Sequence, residues 1–195
     1  MRHLPVRRGL LVAVSCLSLL AVAAPAQAQT RVHVTNPSFD LPGVEQNGTD
    51  SNYTRIGVGG NLYGWSVTHG DVDVYGRDFA KAPGRSQALA LNGSTAGTII
   101  QALQTTPGTT LAISWRDSPD TYSACGTSTD MSYTLSDGNE QELRRPGAPV
   151  TSGAWEDRTA YFTADGNVTT IEFSSKNDGG ACGALITDVA VHELT

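Results

Sequence analysis

The chain has 195 residues, with 13 Lys+Arg against 19 Asp+Glu, a formal net charge of -6 and 39% hydrophobic content. Its basic residues are scattered, which excludes the clustered cationic surface that nucleic-acid binding needs. The length is ample for a real core, and the acidic, Gly-, Ser- and Thr-rich composition suits a secreted protein that could hold calcium.

Residues 1 to 28 read as a secretory signal peptide. Arg2, Arg7 and Arg8 precede the apolar run Leu10 to Ala24, and Ala26-Gln27-Ala28 is a small-x-small cleavage site. The mature part, residues 29 to 195, is then expected to form one domain. Removing those three arginines from the 13 basic residues leaves 10 against 19 acidic ones, a net charge of -9. No second apolar stretch of about 18 residues follows, so a secreted, extracellular product without membrane insertion is expected. After cleavage only Cys125 and Cys182 remain. An even pair in an oxidising compartment reads most simply as one disulfide, worth roughly 4 kcal/mol in the chain-entropy account. The alternatives are lone thiols or a cysteine-based metal site, though neither CxxC nor Cys/His spacing exists.

Short alternating segments between Gly, Pro, Asn and Asp punctuation predict an all-β sandwich of about ten strands. Arg31 to Thr35 starts it, followed by Trp65 to Thr68 and Val72 to Tyr75 around the turn His69-Gly70-Asp71. Residues 41 to 61 and 77 to 85 stay open, the first as a loop or edge hairpin, the second as a loop or one helical turn. Gln87 to Leu91 and Thr98 to Leu103 come next. In Thr110 to Arg116 the alternation places Leu111, Ile113 and Trp115 in the core and Ala112, Ser114 and Arg116 outside. Residues 117 to 130 read as a long polar loop, the kind of segment where binding residues lie. Met131 to Ser136 and Gln141 to Arg145 flank the hairpin signal Asp137-Gly138. Trp155 to Thr163 and Val168 to Ser174 flank the turn Ala164 to Asn167.

The last strand, Cys182 to Val191, carries the most information. Leu185, Thr187, Val189 and Val191 fall on one face and Ile186, Asp188 and Ala190 on the other, so Asp188 stands where an apolar residue belongs and wants a partner. If the first and last strands pair, Asp40 and Asp188 would converge as hard oxygen ligands for a structural calcium. The competing reading has Asp40 capping a turn and Asp188 accepting backbone hydrogen bonds. For catalysis, His33, His69 and His192 fall in no HExxH, no Gly-x-Ser-x-Gly elbow exists, and the carboxylate pairs are ordinary surface pairs. Among the aromatics, Trp115 belongs to the core and Trp65 and Trp155 to core or rim, whereas Tyr122 in the polar loop is the better candidate for an exposed contact.

Several segments run in the order of a known family: Asn36-Pro37-Ser38-Phe39-Asp40, Gly64-Trp65-Ser66-Val67, Gly70 to Val74, Gly84 to Gly93, Ile100 to Gly108, Trp155 before Phe162-Thr163-Ala164, and Cys182 to Val189. In these the chain resembles secreted galactose-binding-like jelly rolls, nearest the bacterial choice-of-anchor C proteins and the plant cell-wall proteins called "domain of unknown function 642". The resemblance implies a two-sheet jelly roll, an extracellular place and polysaccharide binding without catalysis. It also implies pairing of Cys125 with Cys182 and a structural calcium held by Asp40 and Asp188. The chain departs from the pattern at Thr187, where an aspartate is usual, and at Arg116-Asp117-Ser118, where Gly-Asp-Ala is usual.

The expected protein is a monomeric, non-enzymatic jelly-roll β-sandwich binding extracellular polysaccharide through loops at one end. Asp117, Asp120, Tyr122 and Asn177, near the cysteine staple, are the expected contacts. The alternative is an extracellular protein-interaction or structural module; a hydrolase comes third.

Overall fold

The structure is a computed structural model that describes residues 29–44, 52–120, 122–126, 128–138, 140–149, 155–177 and 180–194. The leader expected over residues 1 to 28 lies outside them. The described residues form thirteen strands: Gln29–Val32 (β1), Tyr53–Gly57 (β2), Asn61–Leu62 (β3), Trp65–His69 (β4), Asp71–Tyr75 (β5), Ala88–Ala90 (β6), Thr98–Gln104 (β7), Thr110–Pro119 (β8), Ser128–Ser136 (β9), Glu140–Pro149 (β10), Glu156–Thr163 (β11), Val168–Ser175 (β12) and Ala184–Leu194 (β13). One helical turn, Arg77–Ala80 (α1), and two 3-10 turns, Pro83–Arg85 and Ser123–Cys125, complete them.

The strands build a two-sheet jelly roll. The larger sheet has the order β11-β8-β13-β6-β5-β2, with β1 also on β13, and the smaller one β10-β9-β12-β7-β4-β3. The turns at His69–Asp71 and Ala164–Asn167 carry the chain from one sheet to the other, whereas Asp137-Gly138 joins the antiparallel pair β9 and β10. Alternation along each strand sends one set of side chains into the space between the sheets. Leu111, Ile113, Trp115, Phe162 and Val191 from the larger sheet meet Trp65, Ile99, Leu135, Ile171 and Phe173 from the smaller one. Trp115 packs edge-on against Phe173 at 5.6 Å.

Two stretches differ from the expectation. Strand β8 runs on through Asp117, Ser118 and Pro119, so the polar loop is shorter than residues 117 to 130. The closing strand breaks at Asp188, which adopts φ 54° at a register shift between Thr187 and Ala190. This bulge resets the alternation: Ile186 and Val189 both reach the main core, while Leu185 faces the other way. The bulge places Asp188 outward, half-buried, which resolves the anomaly of a carboxylate in an apolar run.

Residues 77 to 85 form α1 and the first 3-10 turn; of residues 41 to 61, β2 takes Tyr53–Gly57 and β3 begins at Asn61, while residues 45 to 51 lie outside the described ones. The α1 segment covers the outer face of β5, β6 and the start of β13 with a second small core of Tyr75, Phe79, Ala80, Ala88, Ala90 and Leu185, against which Tyr122 and Trp155 pack. The Cys125–Cys182 disulfide ties the Tyr122 loop to the entry of β13. First and last strands do pair, Arg31 opposite His192 and Val32 opposite Val191. The chain after β1 then crosses the sandwich, with Phe39 fully buried in the core. The amide of Gln87 fixes this crossing, donating to the carbonyls of Phe39 and Pro42 and accepting from the Val44 N–H.

Candidate functional site

The larger sheet's outer face has a covered half, under α1 and the Tyr122 loop, and a half over β11, β8, the end of β13 and β1 where side chains reach solvent. Because Ile113, Trp115, Ala160 and Phe162 point inward, their neighbours Ala112, Ser114, Arg116, Thr159 and Tyr161 must point out. The registers then set them in lines across the strands. Tyr161 lies opposite Ala112, Ala112 opposite His192, and His192 opposite Arg31. Thr159, Ser114 and Ala190 make the next line. Asp157 and Arg116 make the third, which ends at the bulged Asp188.

This arrangement is a shallow trough with small and hydroxyl side chains along its floor. One wall is Asp157, Arg116 and Asp188; the other carries Tyr161, 58% exposed, together with His192 and Arg31. A depression of about 400 Å³ lies along the first wall, lined by Ser114, Arg116, Asp157, Thr159 and Asp188. Arg116 donates from Nε to Asp157 at 2.8 Å and from Nη1 to Asp188 at 3.0 Å. The bond to Asp157, reinforced by both negative charges, pushes the guanidinium above its ordinary pKa. Four adjacent strands from Tyr161 to Arg31 span about 14 Å, and among the described residues no strand lies beyond β11 or β1, so the trough is open at both ends there.

The loop residues expected to bind are held elsewhere. Asp117 is 0% exposed and points between the sheets, accepting from the Tyr133 hydroxyl at 2.7 Å and Arg158 Nε at 3.0 Å. Tyr133 in turn accepts from Trp115 Nε1 at 2.9 Å. Asp120 is also 0% exposed but lies on the other side of the sheet, under the small core. It accepts from the Tyr75 hydroxyl at 3.0 and 3.1 Å and from the Tyr122 N–H at 2.8 Å. Burial pushes its carboxyl up to about 7. Tyr122 is half-buried, edge-on to Phe79 at 6.2 Å. Asn177 accepts from the Ser132 N–H and donates to the Cys182 carbonyl at 3.1 Å, bracing the disulfide. Asp120 and Tyr122 are thus brought together, Asn177 joins Cys182, and Asp117 stands apart.

Residues 32–192 match the family described as "Protein of unknown function (DUF642)". The chain belongs to this family. The chain is also similar, at low identity, to several solved structures. TmCBM61 in complex with β-1,4-galactotriose is 14% identical, with a TM-score of 0.49 over 83% of this chain and 98% of that one. The CBM22-1 xylan-binding domain of Paenibacillus barcinonensis Xyn10C is 16% identical, with a TM-score of 0.48 over 89% and 99%. A CBM35 from Paenibacillus barcinonensis is 15% identical, with a TM-score of 0.44 over 73% and 98%. No curated protein matches the sequence.

The departures of this DUF642 chain bear on calcium. Arg116, the first residue of the departure Arg116-Asp117-Ser118 noted in the sequence, is the residue that meets Asp188. The other donors to Asp188 are the hydroxyls of Ser38 at 3.0 Å and Ser86 at 3.1 Å. Asp40 instead accepts from the Gln87 N–H at 3.5 Å and lies 3.5 Å from Arg77 Nη2. Among the described residues no three His, Cys, Asp or Glu side chains gather as a metal set. A carboxylate already met by a guanidinium and two donating hydroxyls does not fit calcium, which takes six to eight oxygen ligands.

The residues of the open trough had a signal in the sequence. Thr159 and Tyr161 alternate with Ala160 and Phe162, which marks Tyr161 as outward-facing. The strand that stands beside it, carrying Ala112, is set by the fold alone.

Proposed function

We propose that this DUF642 chain is a secreted, non-catalytic module that binds an extracellular polysaccharide across the open half of its larger sheet. The observation that carries this reading is the line Tyr161, Ala112, His192 and Arg31 beside a floor of Ser114, Thr159 and Ala190. An extended sugar chain needs a trough open at both ends, an aromatic face on which a ring can lie, and hydroxyl, guanidinium and carboxylate groups for its hydroxyls. All of these stand here on rigid strands. Secretion is supported by the leader-like residues 1 to 28 and by the Cys125–Cys182 disulfide. In this reading Asp117, Asp120, Tyr122 and Asn177 hold the frame rather than the sugar.

The test is a glycan array with an insoluble-polysaccharide pull-down on purified residues 29 to 195, with calcium and with chelator. Retention is expected in both conditions. Tyr161→Ala should weaken it about tenfold, the value of a lost stacking contact, with an unchanged melting temperature. Tyr122→Ala should lower the melting temperature and spare affinity. The opposite pattern would move the site to the loop, and no retention by folded, disulfide-bonded protein would end the carbohydrate reading.

A further inference from the structure

The cationic groups on the two walls of the trough are not equivalent. Arg116 is answered by Asp157 and Asp188. The side chains of Arg31 and His192, side by side across β1 and β13, have no hydrogen-bond or ion-pair partner among the described residues. The acidic side chain nearest in sequence, Glu193, points to the opposite side of β13 and is taken by the N–H and hydroxyl of Thr106. His33, one turn of the alternation beyond Arg31, meets only the Thr35 hydroxyl, at 3.4 Å. Next to Arg31 the sheet edge opens into a recess of about 270 Å³ bordered by Thr30, His33, Gln104, Thr106 and Glu193, the last with its carboxylate already taken by Thr106.

A local cationic spot is unexpected on a chain with a net charge of -6. The overall field would repel a polyanion, so nonspecific attraction does not account for such a spot, whereas a specific carboxylate would. Arginine presents a planar fork that matches a carboxylate in a bidentate way, and a neighbouring imidazole adds a further nitrogen. Tyr161 lies on the same line, three strand spacings from Arg31, or about 14 Å. A ring stacked on Tyr161 therefore leaves room for a later sugar of the same chain to set an acidic substituent between His192 and Arg31.

Building on the polysaccharide reading, we infer that the trough takes an acidic polysaccharide, holding a uronate carboxylate at Arg31 and His192 while another ring of the same chain, further along, stacks on Tyr161. Methyl-esterification is the discriminating change, because it removes the charge and keeps the sugar backbone. Binding of residues 29 to 195 is measured on polygalacturonate, fully methyl-esterified polygalacturonate, neutral galactan and dextran sulfate, for the wild type, Arg31→Gln and Arg85→Gln. Arg85 pairs with Asp78 on the exposed surface of the covered half and serves as the control.

The expected result is about tenfold tighter binding to polygalacturonate than to its ester, the value of a charge-assisted pair. That preference should vanish in Arg31→Gln, with the melting temperature retained, and persist in Arg85→Gln. Equal binding of acid and ester would overturn the inference and leave a neutral-sugar module standing; dextran sulfate bound as well as polygalacturonate would overturn it in favour of unspecific polyanion binding, and a preference surviving Arg31→Gln would overturn it by placing the carboxylate elsewhere. Failure to bind any of the four polymers would overturn the inference together with the polysaccharide reading beneath it.

Discussion

Asp117 and Asp120 sit three positions apart at the end of β8, both fully buried, on opposite sides of the sheet. Asp117 points between the sheets and meets a cation, Arg158, as well as the Tyr133 hydroxyl. Asp120 lies under the small core and meets only neutral donors, the Tyr75 hydroxyl and the Tyr122 N–H. A buried carboxylate needs either a charge partner or a proton, and this strand uses one solution on each face. The difference separates what each does. Asp117 is a fixed ion pair that lets a polar residue continue a core strand, whereas Asp120 is a titrating group beneath the disulfide loop.

Breaking the first solution should cost the most stability. Asp117→Ala strands the Arg158 guanidinium and the Tyr133 hydroxyl in a largely enclosed place. Removing one partner of a buried pair costs about 3 to 5 kcal/mol. Glu156, 2.8 Å from Arg158 Nη2, should hold the loss near the lower end. Urea unfolding at neutral pH measures it. Replacing both Asp117 and Arg158 with apolar residues of similar size should recover most of the stability, and a double variant no better than Asp117→Ala would show that the pair is not the reason for the loss.

The second solution predicts a pH dependence. The Asp120 carboxyl is raised by burial to about 7, so between pH 4 and 7 the folded chain keeps a proton that the unfolded chain releases. Its stabilising contribution is complete below about pH 4 and declines as pH rises through about 7, by at most about 1.4 kcal/mol per unit. Asp120→Asn still accepts from Tyr75 and Tyr122 but does not ionise. It should match the wild type near pH 4 and exceed it at pH 8 by up to about 4 kcal/mol, the full linkage of a carboxyl raised from about 4 to about 7. Unfolding curves at the two pH values decide this, and a constant gap between variants would mean that Asp120 does not titrate in the folded state.

The contrast also marks how far the sequence could be read. Alternation identified the inward Leu111, Ile113 and Trp115, and the turn signals located most strand boundaries within a few residues. The polar letters Asp117 and Ser118 read as loop because the partners that let Asp117 continue the strand, Tyr133 and Arg158, lie 16 and 41 positions away. The same limit hid the bulge. Asp188 carries no glycine signal, and its left-handed conformation is held by Ser38, Ser86 and Arg116 from three other segments. Tyr122 looked exposed because its loop is polar, yet it is half-buried with its ring edge-on to Phe79; Tyr161 stands out once β8 places Ala112 beside it.

Asp188 stands between the two extremes, and it sets the smallest effect. Like Asp117 it has an arginine, and like Asp120 it has hydroxyl donors, but its side chain is 28% exposed. Water therefore shares the work of stabilising the charge, and Arg116→Ala should cost about 1 kcal/mol, the range of an exposed pair, with Ser38 and Ser86 still holding the bulge. High salt should shrink that cost, because screening reaches an exposed pair and hardly reaches the Asp117 pair. Melting the Arg116 and Asp117 variants at low and at high salt puts the two side by side. An Arg116→Ala loss as large and as salt-insensitive as that of Asp117→Ala would mean that the bulge depends on its guanidinium as an internal cation, and that Asp188 belongs with the buried carboxylates after all.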